Sequence, residues 1–88
     1  MIEVRLSKQA QKILQTLQRQ DRQRIIDVLR ELRKMPFPAH LNIKKIKGMA
    51  DTYRIRIGRY RVIYHIDWEE NVIYVMKIDK RSRVYRDL

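Results

Sequence analysis

The chain has 88 residues, 44% of them hydrophobic, with 21 Lys+Arg against 10 Asp+Glu and a formal net charge of +11. That length suits a single domain, residues 1–88, with one modest core, and the apolar content is too high for a chain disordered throughout. The absence of cysteine excludes disulfides and thiol chemistry, no apolar run is long enough for a membrane-spanning helix, and so large a positive charge calls for an acidic partner: nucleic acid, an acidic protein or an anionic surface.

Ile2, Val4 and Leu6 alternate with Glu3 and Arg5, which predicts a first strand and does not read as a signal peptide. The expected location is therefore the cytoplasm. Ser7 suits a helix N-cap, and Ala10, Ile13, Leu14 and Leu17 then share one face of a helix from about Lys8 to Gln18. Asp21 reads as a second cap. Ile25, Val28, Leu29 and Leu32 repeat the helical spacing, with Met35 one turn on, and Pro36 and Pro38 end the helix. A short connection around Gln20 implies an antiparallel helix pair. Ala39 to Thr52 reads as mostly irregular, with a brief strand at Leu41–Ile46 and a turn at Gly48.

Strands are predicted near Tyr53–Ile57 and Tyr60–Asp67, joined by Gly58-Arg59, a two-residue connection with glycine first that suits a type II′ turn. That turn pairs Ile57 with Tyr60, Arg56 with Arg61, Ile55 with Val62 and Arg54 with Ile63. One face then carries Tyr53, Ile55, Ile57, Tyr60, Val62 and Tyr64, and the other carries Arg54, Arg56 and Arg61. Trp68–Asn71 reads as a loop and Val72–Asp79 as a last strand. Given an odd-length connecting loop or a bulge, Tyr74, Met76 and Ile78 face the core beside Val62 and Tyr64, leaving Val75, Lys77, Asp79 and Arg81 beside Arg61. The tail Lys80–Leu88 is basic and without pattern. The fold class is α+β, in the order β-α-α-β-β-β, with a helix hairpin on one face of a mostly antiparallel sheet and the arginines open on the other.

Like charges directly across a strand pair repel, so Arg56 opposite Arg61 points to a bound polyanion. Arginine grips phosphate oxygens bidentately and stacks on exposed bases. Several arginines around one phosphate also stabilise charge that develops in a transition state. RNA carries its own nucleophile, the 2′-hydroxyl, so such a site could cleave RNA without a metal. Charge by itself speaks for binding rather than turnover, and a solvated basic face is the plainer reading. No metal-ligand spacing and no glycine-rich phosphate loop is present, so no cofactor is expected. His65 falls on the arginine face, either as a surface strand residue or as a substrate contact. Tyr60 and Tyr64 read as core residues with hydroxyls near a rim, and Tyr85 as either an anchor of the tail or a group that stacks on a base or passes a proton.

Taken together, Lys47-Gly48-Met49, Tyr53-Arg54-Ile55-Arg56, Tyr60-Arg61-Val62-Ile63-Tyr64 and Asp79-Lys80-Arg81-Ser82-Arg83-Val84-Tyr85, in this element order, resemble the RelE/ParE toxin superfamily over nearly the whole chain. The resemblance to RelE-type members implies a ribosome-dependent, metal-independent endoribonuclease that cuts messenger RNA in the A site, leaves a 2′,3′-cyclic phosphate, and is silenced by an acidic RelB-like antitoxin. It implies catalytic roles for Arg61, Arg81 and Tyr85 and RNA contacts from Arg54 and Arg56; the basic residues Lys47, Lys77 and Arg83 are further RNA-binding candidates. The first-strand pair is lysine in the best-known bacterial member and arginine here. Arginine stays protonated, so Arg54 and Arg56 are assigned phosphate binding, and the general base falls to Tyr85, His65, a ribosomal group or none. Two other readings share the fold: a ParE-like inhibitor of DNA gyrase, and a noncatalytic RNA-binding module.

Overall fold

A computed structural model describes residues 1–80. Its elements are β1 (Glu3–Leu6), α1 (Lys8–Thr16), α2 (Arg19–Lys34), β2 (Asn42–Lys45), β3 (Thr52–Ile57), β4 (Tyr60–Asp67) and β5 (Val72–Lys80). The strands form one sheet in the order β1-β5-β4-β3-β2, antiparallel except for the parallel pair β1–β5. Both helices pack on one face. Ala10, Ile25, Val28, Leu29 and Leu32 meet Ile55, Ile57, Tyr60, Val62, Tyr64, Ile66, Ile73, Val75 and Ile78 in a single core. The brief strand expected at Leu41–Ile46 is β2, so four strands follow the helices where the predicted order counted three.

The helices differ from expectation at their ends. Ser7 caps α1, its hydroxyl accepting from Ala10 N at 3.1 Å. Leu17 and Gln18 are both extended and are the whole connection between the helices. Arg22 N therefore donates to Gln18 O at 3.0 Å, and α2 starts two residues before the expected cap. Asp21 falls in its first turn, where a carboxylate faces free N–H groups and the positive end of the helix dipole. Met35, expected on the buried stripe, is the C-cap and is 56% exposed; Pro36 cannot continue the helix.

The hairpin register is the one the turn predicts, from Ile57↔Tyr60 through Arg56↔Arg61 to Thr52↔His65. Gly58 has φ +59, while Arg59 is not among the residues of positive φ. One left-handed residue followed by one ordinary residue is the type II′ requirement. A Cβ on Gly58 would also lie 2.8 Å from Arg24 Nη1 of α2.

In β5 the expected alternation holds at Ile78, Lys77 and Asp79 and then breaks. Ile63 pairs with Lys77 but Tyr64 pairs with Val75, so Met76 is an extra residue opposite the Ile63–Tyr64 step. This bulge reverses the facing of everything before it. Ile73 and Val75 enter the core, and Tyr74 and Met76 do not belong to it. Ser7 Oγ donates to the bulge carbonyl, Met76 O, at 2.8 Å while accepting from Ala10, so one hydroxyl fixes both the bulge and the start of α1.

β1 covers β5 only as far as Val75. Beyond it, Gln9 of α1 takes the place of a missing strand: its Nε2 donates to Ile78 O at 2.8 Å and its Oε1 accepts from Ile78 N at 3.0 Å. A carboxamide has the same donor and acceptor pair as a peptide, so this edge is satisfied where Lys77 and Asp79 reach the open face. Replacing Gln9→Ala is expected to cost about 1–3 kcal/mol in urea unfolding, as for buried backbone groups that lose their partners.

Tyr64 is fully buried, not at a rim, and its hydroxyl donates to Pro36 O at 2.9 Å. Burial first, and the neighbouring Tyr53 second, hold its ionisation well above the ordinary phenol range. The folded state therefore keeps this proton after the unfolded chain has lost it, and stability falls as pH rises above ~10. Tyr64→Phe should lose about 1 kcal/mol at neutral pH and show a flatter alkaline decline when melting is followed from pH 8 to 11.

Candidate nucleic-acid interface

The face of the sheet away from the helices is organised in rows across the strands. One row is Asn42, Arg56, Arg61 and Asp79, from β2 to β5. The next is Lys44, Arg54, Ile63 and Lys77. The third is Thr52, His65 and Tyr74, ending on Arg5 of β1. Neighbouring rows are two residues apart along a strand, about 6.6 Å. The first two rows hold Lys44, Arg54, Arg56, Arg61 and Lys77 against one carboxylate, Asp79.

The side chains differ in depth. Arg56 is exposed, Arg54 is half-buried, and Arg61 and Lys77 are 5% and 9% exposed. Arg61 is thus part of the floor rather than a free arm, with Asp79 directly across from it on β5. Asp79 in turn accepts from Lys80 N at 2.7 Å. Arg54 Nε is buried with no hydrogen-bond partner among the described residues.

Lys47 lies in the turn between β2 and β3. It lines a cleft of about 350 Å³ with Lys44, Lys45, Ile46 and Arg54. Lys44 was not singled out in the sequence. It reaches this face because β2 pairs with β3 and sets Lys44 against Arg54; the alternation of Asn42-Ile43-Lys44 carried that signal. Tyr74 was missed because the bulge that turns it outward has no local signature. Arg81, Arg83 and Tyr85 lie outside the described residues.

The third row is less basic. Thr52 Oγ1 donates to Ala50 O at 2.8 Å and stands 3.2 Å from His65 Nδ1. A hydroxyl has one proton, so Thr52 can only accept from His65, and the neutral imidazole carries its hydrogen on Nδ1. His65 and Tyr74 line a cavity of about 440 Å³ with Met49, Ala50, Thr52 and Met76. Among the described residues no group of His, Asp and Glu is placed to hold a metal ion, and no helix is long and apolar enough to cross a membrane.

The chain is similar to known proteins over nearly its whole length. Residues 4–85 match the family model described as ParE toxin of type II toxin-antitoxin system, parDE. A protein of Methanocaldococcus jannaschii carrying the name RelE1 is 31% identical over 96% of this chain and 94% of its own length. The mRNA interferase toxin RelE of Escherichia coli is 28% identical over 90% of this chain and 78% of its own. A chain of the archaeal RelE-RelB complex from Pyrococcus horikoshii superposes with a TM-score of 0.83 and 34% identity, covering 94% of this chain and 98% of that one. With strand, helix pair and open sheet in the same order and a family match over nearly its whole length, the chain belongs to the RelE/ParE superfamily of toxins of type II toxin–antitoxin systems.

Proposed function

We propose that this toxin is a ribosome-dependent endoribonuclease that cuts messenger RNA in the A site and so inhibits translation in the cytoplasm. The observation that supports this most is the convergence of Arg54, Arg56 and Arg61 on one open sheet face, joined there by Lys44 and Lys77. Relatives named as mRNA interferases favour the same reading over gyrase inhibition, as does retention of Arg61, Arg81 and Tyr85.

In the proposed reaction the 2′-oxygen attacks the adjacent phosphorus, the bond to the 5′-oxygen breaks, and a 2′,3′-cyclic phosphate forms. The 2′-hydroxyl proton leaves to an acceptor, and the 5′-oxygen takes up a proton as it departs. Arg61 and Arg81 stabilise the extra negative charge at phosphorus. Arg54, Arg56, Lys47, Lys77 and Arg83 hold flanking phosphates or ribosomal RNA. Arg54 and Arg56 cannot accept the proton, because a guanidinium does not release its own. His65 is on the same face, four residues from Arg61 along β4, a Cα separation of about 13 Å. The acceptor in this proposal is Tyr85, His65, a ribosomal group or no positioned group at all. Acid–base assistance of this kind is worth about 100- to 10,000-fold, so Tyr85→Phe should slow cleavage while Arg61→Ala with Arg81→Ala abolishes it. The assay is a translation extract programmed with a defined message, with transcript ends mapped. Undiminished cutting by the folded double variant would overturn the mechanism. Inhibition of gyrase supercoiling by the wild type would favour the ParE-like alternative.

The partner proposed to silence it is an acidic RelB-like antitoxin, in keeping with the RelE-RelB complexes among its structural neighbours. A chain of net charge +11 favours an acidic segment that folds on binding. Its affinity is expected to fall as salt is raised from 50 to 500 mM, measured by titration calorimetry; an affinity indifferent to salt would contradict the electrostatic account.

A further inference from the structure

We infer that the cavity beside His65 and Tyr74 is a nucleobase-binding subsite, continuous with the cationic rows and taking one unstacked base of the bound RNA. The inference rests on the RNA reading above and adds a position at which sequence is read.

The cavity lies on the arginine face, one row from Lys44, Arg54 and Lys77. A single strand with a phosphate on the second row can therefore place a base over the third without crossing a wide gap. Its lining combines the half-buried rings of Tyr74 and His65 with the thioethers of Met49 and Met76. Aromatic rings stack on bases, and methionine sulfur is polarizable and adapts to flat aromatic surfaces. The guanidinium of Arg5 stands over the Tyr74 ring, 6.0 Å from its centroid.

The polar feature of the cavity is directional. Because Thr52 donates its proton to Ala50, it accepts from His65 Nδ1–H, and in the neutral ring Nε2 is then the acceptor. An acceptor there matches an N–H on the Watson–Crick edge of a base, such as an exocyclic amine. Two features of the fold set up this cavity. The Met76 bulge turns Tyr74 to this face, and the turn after β2 supplies Met49 and Ala50. The flanking charge selects an occupant with an anionic backbone, which separates RNA from a neutral apolar peptide.

The four methionines of the chain give a direct readout. Met49 and Met76 line the cavity, whereas Met1 and Met35 are 86% and 56% exposed and take no part in it. With the methyls of methionine labelled with carbon-13, the protein is titrated at low salt with a pentaribonucleotide and with its abasic counterpart. The base-bearing strand is expected to shift the Met49 and Met76 methyls by ring currents and to bind about tenfold more tightly than the abasic strand, the scale of one stacked base. Tyr74→Ala and, separately, His65→Ala should bring that ratio toward one. If both strands bind equally and neither methyl moves, the subsite is overturned, and continued cleavage in the translation extract would leave the endonuclease reading standing. A ratio that survives in both variants also overturns it, by placing the base elsewhere. An acidic peptide that moves both methyls, where RNA moves neither, would reassign the cavity to a protein partner.

Discussion

The register of the β3–β4 hairpin is the constraint on which the molecule depends. Side chains alternate with a period of two, so slipping the pairing by one residue would exchange the two faces of the sheet. Ile55, Ile57, Val62 and Tyr64 would leave the core, and Arg54, Arg56 and Arg61 would be driven beneath the helices. Burying unpaired guanidinium groups costs far more than the hydrophobic residues would regain elsewhere. The left-handed turn at Gly58 and the apolar face on the helices therefore select the same pairing. Core and basic surface are two sides of one decision, and neither can change without the other.

That decision leaves an electrostatic cost on the open face. Arg56 and Arg61 face each other across the hairpin, and Lys44 and Arg54 do so across β2–β3, arrangements that weaken a sheet. The cost is moderated unevenly. Arg61 is sunk into the floor opposite Asp79, whereas Arg56 remains exposed on the rim. A polyanion laid along the rows would relieve the repulsion, and so stabilise the protein as it binds. β4 carries this arrangement because it is central in the sheet, with Arg61 and Ile63 buried as well as the helix-facing residues.

Contacts made from the helical side shape the open face. The Ser7 hydroxyl closes the start of α1 and grips the Met76 carbonyl at the bulge. The carboxamide of Gln9 completes the hydrogen bonding of Ile78, between Lys77 and Asp79. Tyr64 ties the centre of the sheet to the proline segment after α2. The bulge has the widest consequence. A single extra residue lets Ile73, Val75 and Ile78 all serve the core while Tyr74 and Lys77 both reach the opposite face.

The sequence by itself determined the elements whose signals are local. The cap at Ser7, the helical spacing from Ile25 to Leu32, the glycine-first turn at Gly58 and the hairpin pairing with its shared arginine face all follow from periodicity and backbone sterics within a few residues. What depends on partners distant in the chain was not legible there. The strand expected at Leu41–Ile46 is bounded at Asn42–Lys45, and Lys44 joins the basic surface, because β3 pairs along those residues. α2 begins at Arg19 because the two residues before it are extended, not because Asp21 caps it. Strict alternation along β5 points Tyr74 toward the helices. Only the tertiary structure, through the pairing of β5 with β4 and the grip of Ser7 on the Met76 carbonyl, decided that it faces the other way, because a bulge is set by contacts across the sheet rather than by the residue that forms it.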